Sequence, residues 1–408
     1  MFSFLKNKNK RRKPVVYTRP EHCISRKNID PAALKVLYRL SSLGYTAYLV
    51  GGGVRDLLMD RKPKDFDVGT SASPQELRKT FRNCYLIGRR FRLAQIRFGD
   101  TIIETATFRK EPESVGDAIE AAGVQREDNT FGTPETDAYR RDFTVNGLFY
   151  NIEDFSVIDW VGGVKDIEAK IIRTIGDPTR RFNEDPVRMM RAVKFSARLG
   201  FTIEKKTFAA MKKLHSCILA ASVPRVCEEI FRLFTYGRSA QAFRLMYECG
   251  MLGDLLPELS AAFDAAGGTR SKLWKYLETL DTLEAVRAKE GNEVSNALRA
   301  AALMAPLAKK LSRDGAGRAA MQTMTRQLKI PKSVYFSATM LMESVKRLSA
   351  PPTKEKSRFV FHPDFLDALD YNRIVARAEG RDESAVDAWA DLFEKKTADH
   401  DKEEEKAK

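Results

Sequence analysis

Two carboxylates one residue apart, Asp65 and Asp67, stand in Lys64-Asp65-Phe66-Asp67-Val68, shortly after three consecutive glycines, Gly51 to Gly53. Residues i and i+2 of a strand project from the same face, so a strand here points both carboxylates the same way. Like charges at that spacing repel unless a cation sits between them. Magnesium shared between carboxylates and nucleotide phosphates meets that need, and it activates an attacking hydroxyl. The glycines supply the other half of such a site, because backbone N–H groups of a turn that opens a helix suit a phosphate chain. Each motif also has an ordinary structural reading, as a tight strand-to-helix turn and as a solvated strand end. Their separation by one short helix favours nucleotide chemistry. The loop is not a P-loop, since no Lys-Ser or Lys-Thr closes it, and the dinucleotide fingerprint lacks its last glycine.

Three further polar groups bear on this chemistry. Glu104 interrupts the apolar strand Ile102-Ile103-Glu104-Thr105-Ala106-Thr107-Phe108, and a carboxylate there marks either a sheet edge or a part of the metal site. In Arg140-Arg141-Asp142-Phe143-Thr144-Val145-Asn146, Asp142 and Asn146 fall on one face of a helix, with Arg140 and Arg141 beside them to hold triphosphate and ribose. The alternative there is a surface pair between Asp137 and Arg141. Asn183-Glu184-Asp185-Pro186-Val187-Arg188-Met189-Met190-Arg191 opens an amphipathic helix with Asp185 as N-cap and Pro186 as first residue. Arg188 and Arg191 share a ridge with Asp185, while Met190, Val193 and Ala197 line the apolar side. A carboxylate and a guanidinium on one ridge can face a nucleobase edge, and that role is compatible with capping.

The elements that must position these residues are legible in outline. A helix from Ala32 to Leu43 follows Asp30-Pro31 and feeds a strand from Ala47 to Val50; Val54 to Met59 forms a short helix. Ser73-Pro74-Gln75-Glu76 is a capping box that opens a helix to about Arg82. Strands are expected at Tyr85 to Ile87, Leu93 to Phe98 and Thr101 to Phe108, a polar loop over 110–135, a helix near Asp137 to Gly147, and a hairpin around Glu153-Asp154. Mixed strands and helices here make an α/β or α+β region with a small sheet, and beyond Asp177-Pro178 the pattern is helical. Breaks are expected at Gly200, Pro224, Gly250, Pro257, Gly267-Gly268, Pro306, Pro331 and Pro351-Pro352.

Bulk properties narrow the function. The 408 residues are 43% apolar and 31% charged, with a net charge of +15. That charge favours a polyanionic partner, nucleic acid first and an anionic membrane surface second. No apolar stretch approaches the roughly 18 residues of a membrane helix. At the amino terminus the apolar residues precede the basic ones, the reverse of a signal peptide, so cytoplasmic residence is expected. Five cysteines without a Cys-x-x-Cys spacing and four histidines argue against a zinc site or a disulfide framework.

With the glycine run, Asp-x-Asp, Arg-Arg-Asp and Glu-Asp-x-x-Arg in this order, the chain resembles the class II nucleotidyltransferases, the superfamily of CCA-adding tRNA nucleotidyltransferases and bacterial poly(A) polymerases. The resemblance runs from about residue 45 to 250 and is loose over the C-terminal third. Leu49-Val50-Gly51-Gly52-Gly53-Val54-Arg55-Asp56 has a third glycine where CCA-adding enzymes usually have alanine or cysteine. This, with Lys64 to Val68 and Ile87-Gly88-Arg89-Arg90-Phe91-Arg92-Leu93-Ala94, looks like the polymerase branch; Gln95 departs from the histidine expected there.

The resemblance implies a polymerase-β-like head followed by an all-helical neck, body and tail. On that division a basic flexible lead-in covers 1–30, the catalytic head 31–176, the neck with its base-recognition helix 177–255, an RNA-binding body 256–393, and a charged flexible tail 394–408. It also implies that Asp65 and Asp67 bind two magnesium ions and that Asp142 completes the acidic site or holds the ribose, with Glu104 as the alternate third carboxylate. Gly52, Gly53 and Arg55 would face the triphosphate, with Arg141 and Asn146 nearby. Asp185 and Arg188 would read the base, with Arg191 on their ridge. The implied activity is template-independent transfer of AMP from ATP to RNA 3′ ends, serving RNA processing and decay; the alternative is CCA addition to tRNA. Both branches share Glu-Asp-x-x-Arg, so that ridge does not separate them, whereas the charge excess suits varied RNA ends held through phosphates. A noncatalytic RNA-binding protein leaves the three aspartates without a use, and transfer to a small molecule or protein leaves the charge without one.

Overall fold

A computed structural model describes residues 13–88, 93–110, 131–311, 315–353 and 357–407, with side chains to residue 398. The chain divides into two compact units. The first comprises 1–181 and 202–207, the second 182–201 and 208–408.

The first unit is built on an eight-stranded sheet. In chain order its elements are β1 (Val15–Tyr17), α1 (Pro31–Ser42), β2 (Ala47–Val50), α2 (Gly52–Leu58), β3 (Asp67–Thr70), α3 (Pro74–Thr80), β4 (Cys84–Ile87), β5 (Leu93–Phe98), β6 (Thr101–Thr107), α4 (Pro134–Tyr139), β7 (Leu148–Asn151), β8 (Val157–Asp159) and α5 (Gly163–Glu168). The strand order is β1-β8-β7-β2-β3-β6-β5-β4. All neighbours are antiparallel except β3 and β6. Alternation along the strands gives the sheet one largely apolar face, on which the buried Thr105 is the register partner of Val68 and Ala94. Leu49, Val68, Ile103, Ala94 and Ile96 pack there with Val36, Leu37 and Leu40 of α1, Val54 of α2 and Leu77 of α3. On the opposite face one residue from each strand falls in a single row: Val16, Ile158, Phe149, Val50, Asp67, Glu104, Gln95 and Tyr85. This row changes character midway. Phe149 and Val50 are buried with Phe108 and Ala138, whereas from Asp67 onward the side chains are polar or exposed.

Several expectations need correction. The lead-in expected to be loose over 1–30 is ordered from Val15. β1 pairs with β8, and Asp30 caps α1 by accepting the Ala32 N–H at 2.7 Å; residues 1–12 lie outside the described residues. Asp65 is not on a strand. β3 begins at Asp67 because its partner β2 ends opposite it at Val50, where Gly51 turns the chain with φ +71°. The helix expected from Asp137 to Gly147 stops at Tyr139. Asp142 instead accepts the N–H of Phe143 at 2.8 Å, a local bond that competes with helical pairing, and a single 3₁₀ turn follows at Thr144–Asn146. Most of the polar loop expected over 110–135, residues 111–130, lies outside the described residues, as do Arg89 to Arg92 of the resemblance.

The chain then continues with β9 (Ile171–Ile172), α6 (Pro178–Glu184), α7 (Val187–Leu199) and β10 (Thr202–Ile203), the last pairing in parallel with β9 within the first unit. The second unit is helical throughout its described length. α7 buries Met190, Val193 and Ala197 as its periodicity requires. Lys194 on the same helix is buried and bonded to Glu229 at 2.7 Å; burial lowers its pKa and the partner carboxylate opposes that. Trp274 stacks on Phe263 at 3.8 Å. Pro306, expected to break a helix, sits inside Asn296–Leu311, and the tail expected to fray from Glu394 belongs to a helix at Ser384–Ala407.

Candidate active site

Asp67 and Glu104 are register partners on the two parallel strands, so their side chains lie side by side on the open half of the sheet. Among the described residues no hydrogen bond reaches the Asp67 carboxylate. Burial, the neighbouring charge of Glu104 and that of Asp65 raise its pKa to about 6, against the pull of Arg141. Glu104 receives one weak donor, Gln95 Nε2 at 3.4 Å, from the next position in the row. Asp65 is exposed just before β3, and its carbonyl lies 3.4 Å from where a Cβ on Gly53 would be. The glycine turn and the two aspartates are therefore direct neighbours.

A cleft of about 160 Å³ sits over this pair, lined by Asp67, Glu104, Val50 and the side chains of Asp137, Arg140 and Arg141. Asp137 is buried and grips both arginines, Arg141 at 3.0 Å. The Asp137–Arg141 pair thus exists, but with the carboxylate buried rather than on the surface. Arg141 also donates to the Asn146 carbonyl at 3.2 Å and lies over Phe149 at 5.2 Å. This fixes its guanidinium so close to the turn that a Cβ on Gly51 would be 2.7 Å from Nη1. Gly51 is required twice over, by that approach and by its positive φ. Arg181 sets the arginine pair from behind, since its Nη2 donates to the carbonyls of Arg140 at 2.6 Å and Arg141 at 2.7 Å.

The remaining candidates form a second cluster. Asn146 donates from Nδ2 to Asp142 at 3.1 Å and accepts on Oδ1 from Arg55 at 2.6 Å, an orientation in which both ends of the amide are satisfied. Arg55, 2% exposed, also binds Asp56 through Nε and Nη2. Arg55 therefore supports the turn from inside and does not face solvent, contrary to the expectation that it faces triphosphate. Asp142 and Asn146 do meet, but across a turn and not on one helical face, and Asp142 does not line the cleft over Asp67.

At the start of α7, in the second unit, the expected ridge is charged but differently paired, with Asp185 just before the helix. Asp185 Oδ1 accepts the Val187 N–H at 3.2 Å, while its other oxygen holds Arg225 at 2.9 Å. Arg188 pairs with Glu184 at 3.0 Å, and Arg191 lies over Phe195 at 5.3 Å. The i,i+4 spacing signals the Asp137–Arg141 pair, though not its burial, whereas nothing local signals Arg181 or Arg225.

Among the described residues no three Asp, Glu, His or Cys side chains already stand at metal-ligand spacing. Even so, the donor set of Asp67, Glu104 and Asp65 is all hard oxygen, and a cation beside Asp67 would offset both its burial and the charge of Glu104. Those residues fit a hard divalent ion.

Residues 47–173 match the family described as "Poly A polymerase head domain", and residues 200–263 match "Probable RNA and SrmB- binding site of polymerase A". The chain is 39% identical to poly(A) polymerase I of Escherichia coli O157:H7, over 89% of this chain and 82% of that one. It is 38% identical to the CCA-adding enzyme of Lactobacillus helveticus over 55% of this chain and 54% of that one. Among solved structures it is similar to the Bacillus stearothermophilus CCA-adding enzyme in complex with CTP, with a TM-score of 0.68, 26% identity and coverage of 91% of this chain and 83% of that one. With so much of both sequences aligned, the chain belongs to the poly(A) polymerase family of nucleotidyltransferases, of which the CCA-adding enzymes are close relatives.

Proposed function

We propose that this chain adds AMP from ATP to RNA 3′ ends without a template. The observation that carries polymerisation over CCA addition is extent: similarity to poly(A) polymerase I covers 89% of the chain, against 55% for the CCA-adding relative from Lactobacillus helveticus. The RNA 3′-oxygen attacks the α-phosphorus of ATP in line. A new phosphodiester forms, the bond from the α-phosphorus to the bridging β-phosphate oxygen breaks, the hydroxyl proton passes to solvent and pyrophosphate leaves. Asp65, Asp67 and Glu104 are the residues proposed to hold two magnesium ions. When bound, these supply a lowered pKa for the hydroxyl and neutralise the leaving group.

Further assignments are proposed on the geometry together with the resemblance. The N–H groups of Gly52 and Gly53, unpaired within a helix at its first turn, are proposed to carry the triphosphate. Arg141, held by Asp137 against Gly51, adds positive charge there. Glu104 replaces Asp142 as the proposed third carboxylate. Asp142 keeps a positioning role through Asn146 and Arg55. Asp185, Arg188 and Arg191 remain the proposed base-reading ridge, with Arg225 and Glu184 steadying the first two. Cytoplasmic residence is part of the same proposal; among the described residues no helix is long and apolar enough to cross a membrane.

The test is incubation of the purified protein with Mg²⁺, an RNA bearing a free 3′-hydroxyl and each NTP separately. A long ladder with ATP alone is expected. No extension of that RNA, with two C and one A added to a truncated tRNA, would replace the proposal by CCA addition.

A further inference from the structure

The open half of the sheet's polar face extends two strands beyond the acidic pair. From Asp67 the row runs to Glu104 on β6, Gln95 on β5 and Tyr85 on β4, the strand at the sheet's edge. The helices α1, α2 and α3 pack on the other face. On this one Tyr85 is 56% exposed, Ile87, two residues along the same strand, 45%, and Ile102 42%. Contiguous apolar side chains left this open mark a contact site. Arg97, the register partner of Ile102, points to the same face, and its guanidinium lies over the Tyr85 ring at 4.9 Å. Neither Tyr85 nor Arg97 has a part in the chemistry described above.

In-line transfer gives this surface a direction. Attack and departure take place on opposite sides of the α-phosphorus, so the acceptor approaches from the side away from the leaving pyrophosphate. β3, which carries Asp67, lies between β2 and β6. The proposed triphosphate seat at Gly52, Gly53 and Arg141 is at the end of β2, so the acceptor lies over β6, β5 and β4. The spacing of neighbouring strands puts Tyr85 roughly 10 Å from Glu104 and roughly 14 Å from Asp67. That is beyond the nucleotide whose 3′-oxygen reacts and within reach of the one before it. An aromatic ring stacks on any base, and a guanidinium beside it meets a phosphate. Such indifference to the base suits transfer to varied 3′ ends.

We propose that Tyr85 seats the penultimate base of the acceptor strand, with Arg97 holding the adjoining phosphate. The strand crosses the sheet along the row, from Tyr85 over the Gln95 position to the 3′-oxygen at Glu104 and Asp67. This path rests on the reading of Asp67 and Glu104 as the centre of transfer to RNA.

Transfer by the full chain to a short RNA, limited to one addition by 3′-deoxy-ATP and with the penultimate nucleotide either intact or abasic, tests it. Tyr85→Ala is expected to raise KM for the intact RNA about tenfold, the worth of one base stacked on an aromatic ring, with kcat and the KM for the nucleotide within about twofold. Tyr85→Phe, which keeps the ring, stays near the parent. With the abasic RNA the parent and Tyr85→Ala have the same KM, whereas Arg97→Gln weakens both RNAs, since the phosphate is still there. A KM for intact RNA that Tyr85→Ala leaves unchanged overturns the proposal, and so does an equal increase on the abasic RNA, which makes the ring structural only. A dimer in sedimentation that Tyr85→Ala dissociates also overturns it, by giving this face to a second copy. A second readout needs no turnover: 5-iodouracil at the penultimate position, irradiated in the complex, is expected to crosslink to Tyr85. No crosslink there, or the same crosslink from every position of the RNA, overturns a fixed seat. A wild-type chain that gives the crosslink but transfers no nucleotide would remove the transfer reading and leave the seat.

Discussion

Two aspartates at strand ends of the same sheet meet opposite fates. Asp159, the last residue of β8, is 2% exposed and receives four backbone N–H groups: Val161 at 3.0 Å, Gly162 at 2.7 Å, Gly163 at 3.0 Å and Val164 at 3.0 Å. Its charge is balanced by the turn that follows it. Asp67, the first residue of β3, receives no donor among the described residues and faces Glu104. One carboxylate is completed by its own chain and organises a loop. The other is left to be completed by a ligand, and the free-energy cost of leaving it so is concentrated where chemistry is done.

The largest test of that contrast exchanges loss of rate for loss of stability. Asp67→Asn is expected to reduce ATP incorporation about 10³-fold or more, because several kcal/mol of transition-state charge stabilisation disappear with the metal. Asp159→Ala should leave the rate per folded molecule within about twofold while costing about 3 kcal/mol in urea unfolding, as four N–H groups lose their acceptor. A folded Asp159→Ala protein with Asp67-like loss of rate would dissolve the distinction. The next effect separates the third-carboxylate candidates. Glu104→Gln should lower the rate about 10²-fold and raise the magnesium requirement, and Asp142→Asn should cost less than about tenfold through disturbed positioning. The reverse order would return Asp142 to the acidic site.

Strain at Asp67 has a pH signature. Its folded pKa, about 6, lies above the ordinary 3.8, so the folded state binds the proton more tightly than the unfolded chain does. Stability from this group is greatest below pH 4 and is lost as pH rises through 6. Without divalent ions, Asp67→Asn should therefore be more stable than the parent above pH 6, by about 1–2 kcal/mol after allowance for solvent screening. The advantage should vanish near pH 4 and be reversed by magnesium, which stabilises only the parent. Thermal melts across pH, with and without magnesium, check both signs; a destabilised Asp67→Asn at pH 8 without metal would mean that the carboxylate is already satisfied.

Local signals made most of the fold legible. The Ser73–Glu76 capping box, the apolar runs of β5 and β6, and the Asp30-Pro31 helix start all act within a few residues. What escaped depends on distant partners. β1 is an edge strand that pairs, among the described residues, with β8 alone, and Val15-Val16-Tyr17 is too short a run to announce that partner. A strand holding both Asp65 and Asp67 is what the Asp-x-Asp spacing suggests, but β3 starts only at Asp67, where β2 turns away at Gly51. Arg55 has the local look of a phosphate ligand, and its burial against Asn146 joins positions 91 residues apart. Pro306 breaks no helix in the second unit, which shows how tertiary packing overrides a residue that costs a helix about 3 kcal/mol.

The smallest effect concerns Gln95, the next residue after Glu104 in the row. Its 3.4 Å contact to the Glu104 carboxylate is long for a hydrogen bond and is worth about 0.5–1 kcal/mol. If the amide only steadies Glu104, Gln95→Leu should raise the magnesium concentration for half-maximal rate about two- to fivefold and leave the saturated rate unchanged. Gln95→His, which keeps a neutral donor at the same position, should restore the parent requirement. That pattern would place Gln95 between the two aspartates of the comparison: a protein donor reaching the edge of the acidic site, strong enough to orient one carboxylate and too weak to neutralise it. A saturated rate lowered as far as in Glu104→Gln would mean that the amide touches the reacting groups, and the boundary between the completed and uncompleted parts of the sheet would move one strand outward.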